Sequence, residues 1–236
     1  VAVKKSSPYA LRPTSHVLRP TSPLPSLALA LLTGLFYLSV SRWLYGFSGF
    51  PLDDAWIHQT YARNLARSGQ LAFTPGVPSA GSTAPLWTLL LSLGYLLGMP
   101  FQWWTYGLGI LFLGLTGWTV SRLGARLFPG QRGAGPVAGL FGVLGWHLGW
   151  AAVSGMETML FIWLSLFLFE RYLAAGDSWR QNIGLGLLGG LLALTRPEGL
   201  GLLGLIGLGM GRRWWQPGGG RVADMLGLGV LGGLGR

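Results

Sequence analysis

Long apolar runs separated by short polar breaks dominate this chain, and their lengths predict helices. The first run covers 27–47; at 1.5 Å per residue it reaches about 31 Å, enough for the hydrocarbon core of a bilayer. It has no small-residue cleavage site, so it reads as an uncleaved anchor. The runs 103–120, 137–153, 160–169 with its flanks, 183–194 and 200–210 read as further spans, and another begins at Val222. The run 85–98 is too short to span comfortably and reads as a membrane-embedded or juxtamembrane helix. The predicted fold class is all-α, a polytopic transmembrane helical bundle.

Between 48 and 84 the pattern changes. Within 53–69, Ile57, Tyr61 and Leu65 recur at i, i+4 and i+8, while His58, Arg63, Asn64 and Arg67 fall largely off that stripe. This spacing predicts a short amphipathic helix lying along the membrane surface, in the first external loop. A Pro/Gly/Ser-rich stretch, 74–83, follows it. Residues 1–26 hold Lys4, Lys5, Arg12 and Arg19 among repeated Pro and Ser, without apolar periodicity, and read as a disordered basic arm. The expected organisation is that arm, then one transmembrane module over 27–236 with external loops at 48–84 and 154–158. The chain starts at Val1 and stops at Arg236 inside an apolar run, which suggests a piece of a longer protein.

Composition sharpens the picture. Half of the 236 residues are hydrophobic and 10% are charged, against roughly 25% charge in a soluble domain. Such a chain cannot cover a water-facing surface, which excludes a soluble domain. Cysteine is absent, which excludes disulfides, thiolate zinc sites, iron–sulfur clusters and cysteine nucleophiles. The net charge of +10 would suit nucleic acid, but the basic residues lie in short groups between apolar runs. They read as a topology signal, and no nucleic-acid partner is expected. With the arm in the cytoplasm and 85–98 non-spanning, the groups Arg122/Arg126/Arg132, Arg171/Arg180 and Arg212/Arg213/Arg221 all fall inside. Counting 85–98 as a span would put the densest arginine group outside. The uncleaved anchor and short loops fit a multi-pass protein of a prokaryotic plasma membrane.

The acids then become informative. There are seven: Asp53, Asp54, Glu157, Glu170, Asp177, Glu198 and Asp224. The expected topology puts Asp53, Asp54, Glu157 and Glu198 on the outer face, together with Arg196. Each has a structural reading on its own: Asp53 as a helix cap, Glu198 as the partner of Arg196. Carboxylates at a membrane boundary need partners or a task, and acids arriving from separate segments form the pattern of a catalytic or cation site. Asp54 and His58 lie one helical turn apart, which permits shared metal coordination. A solvated histidine is the commoner state, and the pair lacks a closed ligand set. The twelve Trp residues read as interfacial belts, and the glycines of 184–190 as a close helix-packing surface. His147 reads as a packing residue.

The runs Asp53-Asp-Ala-Trp-Ile-His58, Tyr61-Ala-Arg-Asn-Leu65 and Gly81-Ser-Thr-Ala-Pro-Leu-Trp-Thr88 resemble the first external loop of polytopic glycosyltransferases of the C superfamily. Within that group they are similar to the terminal arabinofuranosyltransferase and protein O-mannosyltransferase-like branch. Ser154-Gly-Met-Glu-Thr158 and Leu194-Thr-Arg-Pro-Glu-Gly199 resemble further motifs of the family, in the same order along most of 28–211. The resemblance implies an enzyme that moves a sugar from a polyprenyl-phosphate donor to a hydroxyl of a glycan, lipid or protein acceptor, with inversion, on the extracytoplasmic face. It implies Asp53 or Asp54 as the base, and Glu157, with Glu198 and His58, as groups orienting the acceptor or a cation. Mg²⁺, Mn²⁺ or Ca²⁺ would suit a site drawn from Asp54, His58 and Glu157; metal independence fits equally. Arg196 is the candidate for the donor phosphate, because a guanidinium pairs bidentately with phosphate and would stabilise the departing charge. Arg63 is a second candidate for phosphate or anionic headgroups, although a solvated helix face is the commoner role of such a residue.

Two rival readings remain. A transporter wants charged residues near the bilayer midplane and broken helices, whereas the charges here lie at the ends of the apolar runs. A non-catalytic scaffold derived from a transferase is the other, since members of the family usually carry further helices and an external domain.

Overall fold

The computed structural model describes residues 22–77, 79, 81–175 and 178–215. The regular structure of these residues is helical: α1 (Leu24–Tyr45), α2 (Asp53–Ser68), α3 (Pro85–Leu96), α4 (Phe101–Leu127), α5 (Ala134–Leu144), α6 (Trp146–Ala152), α7 (Thr158–Ala174), α8 (Trp179–Ala193) and α9 (Gly199–Trp215). No strand forms among the described residues beyond an isolated bridge between Thr74 and Val77. The basic arm up to residue 21, Asp177, Arg221, Asp224 and the run from Val222 lie outside the described residues.

Two helices, α1 and α4, are long and apolar enough to cross a membrane. The helices at two further expected spans are shorter: α7 has 17 residues and α8 has 15. At 1.5 Å per residue they reach about 26 and 23 Å, below the roughly 30 Å of a hydrocarbon core.

The chain forms two compact units, Val1–Leu52 with Gln102–Met159, and Asp53–Phe101 with Leu160–Arg236. In the first, α1 carries a proline in its opening turn, where the missing N–H had no helical partner to lose. It ends at Gly46, whose left-handed φ of 75° lets its N–H bond to the carbonyl of Arg42. Glycines set the spacing of this unit's helices: Gly34 backs onto Ile110, Gly117 onto Val143, and a Cβ at Gly124 would lie 2.9 Å from the Ala134 carbonyl oxygen. Small residues of this kind let helix backbones approach closely. Leu113 and Val143 are buried inside, while Leu31, Leu32, Phe36 and Trp43 of α1 stand exposed.

The expected span 137–153 is not one helix. The chain breaks at Gly145 (φ −55°, ψ 117°), between α5 and α6. Glycine is a poor helix former, and the break leaves carbonyls to be satisfied elsewhere. The Gly145 carbonyl accepts from the N–H groups of Leu148 and Gly149, and the hydroxyl of Tyr37 donates to the Trp146 carbonyl at 2.7 Å.

In the second unit, α2 and α3 form a hairpin around the loop 69–84. The Leu86 N–H donates to the Leu194 carbonyl at 2.9 Å, which ties the start of α3 to the end of α8. Of the glycines in 184–190, Gly189 makes the close approach, onto Leu203, while a Cβ at Gly184, Gly186 or Gly190 would meet nothing within 4 Å. Glu170, expected at a helix end, is buried within α7, which runs a further turn to Ala174.

Candidate functional site

Helix α2 opens on the acidic doublet. Both carboxylates are exposed, and Asp53 Oδ1 accepts the Asp54 N–H at 3.1 Å. Negative charge in the first turn complements the helix dipole. The buried side of α2 differs from the expected apolar stripe: it holds Ala55, His58, Gln59, Tyr61, Ala62 and Asn64, while Ile57 and Leu65 are half-buried. The cause is the hairpin. A helix packed on α3 and wrapped by its own loop can bury polar groups that find partners there. His58 is therefore not solvated: it is 3% exposed, with Nδ1 3.3 Å from Ser82 Oγ. Ser82 Oγ lies in turn 2.8 Å from the buried Thr88 Oγ1.

The loop is held by side chains of the same helix. Asn64 Nδ2 donates to the carbonyls of Ala72 at 2.9 Å and Phe73 at 2.8 Å. The Tyr61 hydroxyl accepts the Gly81 N–H at 2.9 Å and lies 2.7 Å from Ser79 Oγ. The Gly76 N–H donates to Gln70 Oε1 at 2.7 Å. These positioning residues were not foreseen as a group, although most sit in or beside the quoted runs. An apolar repeat carries no signal for buried hydrogen-bonding partners.

The Leu86–Leu194 bond places the Gly81–Thr88 run against the Leu194–Gly199 run. Thr195 is fully buried, its hydroxyl donating to the Leu192 carbonyl at 2.5 Å. Arg196 Nη2 pairs with Glu198 Oε1 at 3.2 Å, and its guanidinium sits 5.9 Å from the centre of the Phe161 ring. Both side chains are more than a third exposed, and such a pair is worth about 1 kcal/mol or less. Glu157 belongs to the other unit. It is buried at the end of a turn that needs the φ of 87° at Gly155, where Ser154 Oγ donates to the Ala151 carbonyl. Among the described residues no three His, Asp or Glu side chains group to hold a metal, and the set Asp54, His58 and Glu157 is no exception.

A groove of about 290 Å³ lies beside α2, lined by Trp56, Gln59, Thr60, Arg63, Arg67, Tyr95 and Phe101. Phe101 stacks parallel to Tyr95 at 6.3 Å and meets Trp56 edge-on at 6.0 Å. The Tyr95 hydroxyl donates to Gln59 Oε1 at 3.0 Å. Burial pushes the Tyr95 phenol above its ordinary value, and the charges of Arg63 and Arg67 pull it back. Arg63, but not the groove, was foreseen.

Compared with known proteins, the chain matches no family model, no curated protein and no solved structure.

Proposed function

We propose that this chain is an inverting membrane glycosyltransferase, moving a sugar from a polyprenyl-phosphate donor to an acceptor hydroxyl on the extracytoplasmic face. One observation carries the reading: within a single unit, hydrogen bonds join the acid-bearing helix α2 through His58, Ser82 and Thr88 to α3, and α3 through Leu86 to the segment bearing Arg196. A displacement at carbon needs its base and its leaving-group cation held in one frame, and this series of bonds is what supports the reading.

In the proposed reaction, Asp53 or Asp54 accepts the proton of the acceptor hydroxyl. The freed oxygen bonds to the anomeric carbon from the face opposite the phosphate. The anomeric carbon–oxygen bond breaks, its electron pair leaves with the polyprenyl phosphate, and the configuration inverts. Arg196 offers its planar fork to the departing phosphate. Glu198, exposed beside Arg196 in the same unit, orients the acceptor. No step is routed through a cation, since the described side chains assemble no three-ligand set. In this reading α1 and α4 are two of several spans, the apolar helices after α4 complete a multi-pass bundle with α3 non-spanning, and the arginine groups face the cytoplasm of a prokaryotic cell.

The test is transfer from radiolabelled polyprenyl-phosphate sugars by the full chain in proteoliposomes. Replacing the base, by Asp53→Asn or Asp54→Asn, is expected to cost roughly 10²–10⁴-fold, and Arg196→Ala roughly 10²–10³-fold. Unchanged transfer in all three variants overturns the proposal. The broken helix at Gly145 is the one feature that suits transport instead, and that reading requires sugar or ion flux without a glycosidic product.

A further inference from the structure

We infer that the outer face of α2 is the binding track of an anionic glycan acceptor, with its charged unit in the Arg63–Arg67 groove and its reactive hydroxyl at Asp53. The inference rests on the transferase reading and names its acceptor class.

Asp53, Trp56, Thr60, Arg63 and Arg67 follow one another at i, i+3, i+7, i+10 and i+14, so they share one face of the helix. Asp53, Trp56, Arg63 and Arg67 are exposed and Thr60 is half-buried, whereas on the other side His58, Tyr61 and Ala62 are buried and Asp54 at the helix start is exposed. At 1.5 Å per residue Asp53 stands about 15 Å from Arg63 and about 21 Å from Arg67 along the axis. The face therefore has a carboxylate at one end, cations at the other, and an aromatic platform between.

The groove at the cationic end is lined by two arginines and no carboxylate. Neither Arg63 nor Arg67 forms an ion pair with a carboxylate among the described residues. Their field is therefore available to a ligand, and a guanidinium suits carboxylate or phosphate. Trp56 is 44% exposed and braced edge-on by Phe101. A fixed, open indole is a surface on which the C–H face of a sugar ring stacks. A lipid headgroup would use the cations alone. The continuation past Trp56 and Thr60 to a carboxylate suits a chain several sugar units long. The assignment gives Arg63 to the acceptor and leaves the donor phosphate to Arg196.

The test measures binding of oligogalacturonate and of neutral maltohexaose to the full chain in phosphatidylcholine nanodiscs by calorimetry, with no donor present. Oligogalacturonate is expected to bind at least about tenfold tighter, and to weaken as salt rises. The double variant Arg63→Gln/Arg67→Gln is expected to lose that preference, and Trp56→Ala to weaken both ligands. Both arginines are exposed, so the double variant should elute and unfold like the parent. Equal affinity for the two oligosaccharides overturns the inference, as does an anionic preference that survives the double variant. Affinity for phosphatidylglycerol discs with none for oligogalacturonate also overturns it, in favour of a headgroup site. Because no turnover is involved, the track can fail while Asp53-dependent transfer persists, and transfer can fail while binding persists.

Discussion

Asn64 offers the sharpest test of how the α2–α3 hairpin is held. Its amide spans two carbonyls of the loop that carries the Gly81–Thr88 run back to α3. Replacing it by Leu keeps the bulk and removes both donors. The Ala72 carbonyl belongs to a residue 3% exposed, so it would be left without a partner at a cost of about 1–3 kcal/mol. Phe73 is 50% exposed, so water can take over its carbonyl, and that loss is the net value of one bond, about 0.5–1.5 kcal/mol. The sum is about 1.5–4.5 kcal/mol, concentrated in the loop rather than spread over the helices. Five loop amides report on it, because Ala72, Phe73, Gly76, Val77 and Gly81 each donate a hydrogen bond within this hairpin. Hydrogen exchange of peptides covering 70–84, read by mass spectrometry in detergent, should accelerate by roughly tenfold to a thousandfold, at about 1.4 kcal/mol per tenfold. Asn64→Asp keeps the shape but turns an acceptor toward two acceptors, and should open the loop further than Asn64→Leu. Exchange within about twofold of the parent in both variants would refute the reasoning.

Other outcomes follow from the same geometry. Gly109→Ala would drive a methyl group into the Ala152 carbonyl; the expected loss is about 1–3 kcal/mol, read as a lowered midpoint of thermal unfolding in detergent. Gly155→Ala places a side chain at a φ of 87°, with an expected cost of about 1–2 kcal/mol and a lowered unfolding midpoint. Thr88→Val preserves volume but breaks the bond to Ser82; a loss of about 1 kcal/mol is expected, with transfer reduced through a displaced His58, so a variant with parental kinetics would remove that series from the mechanism. The exposed leucines and aromatics of α1 lead to the expectation that the chain stays in the membrane fraction through alkaline carbonate extraction.

Each described apolar run read from sequence carries a helix, although 137–153 is split into two at Gly145, and α2 falls within a residue of its expected bounds. The reason is local: run length and repeat are properties of neighbouring residues. The break at Gly145 was less legible, because glycine is frequent in this chain and its neighbours 137–153 are uniformly apolar. The side of α2 that would be buried was misread for a different reason. Ile57, Tyr61 and Leu65 follow a helical repeat, but the hairpin with α3 turned Ala55, Ala62 and the bondable His58, Gln59 and Asn64 inward.

For the candidate site, the sequence by itself determined which chemistry was present: an acidic doublet, isolated arginines, no thiol and too little charge for a soluble surface. It also determined that Arg196 and Glu198, two residues apart across a proline, could pair, because that contact is local. Tertiary structure alone decided that the Gly81–Thr88 and Leu194–Gly199 runs meet, through one backbone bond between residues more than a hundred positions apart. It also decided that Glu157 belongs to a different unit from the doublet, and that Tyr95 and Phe101 complete a groove beside Arg63 and Arg67. Spacing along a helix follows from its fixed rise and turn, whereas the pairing of distant segments depends on which surfaces exclude each other's solvent, and no local repeat encodes that.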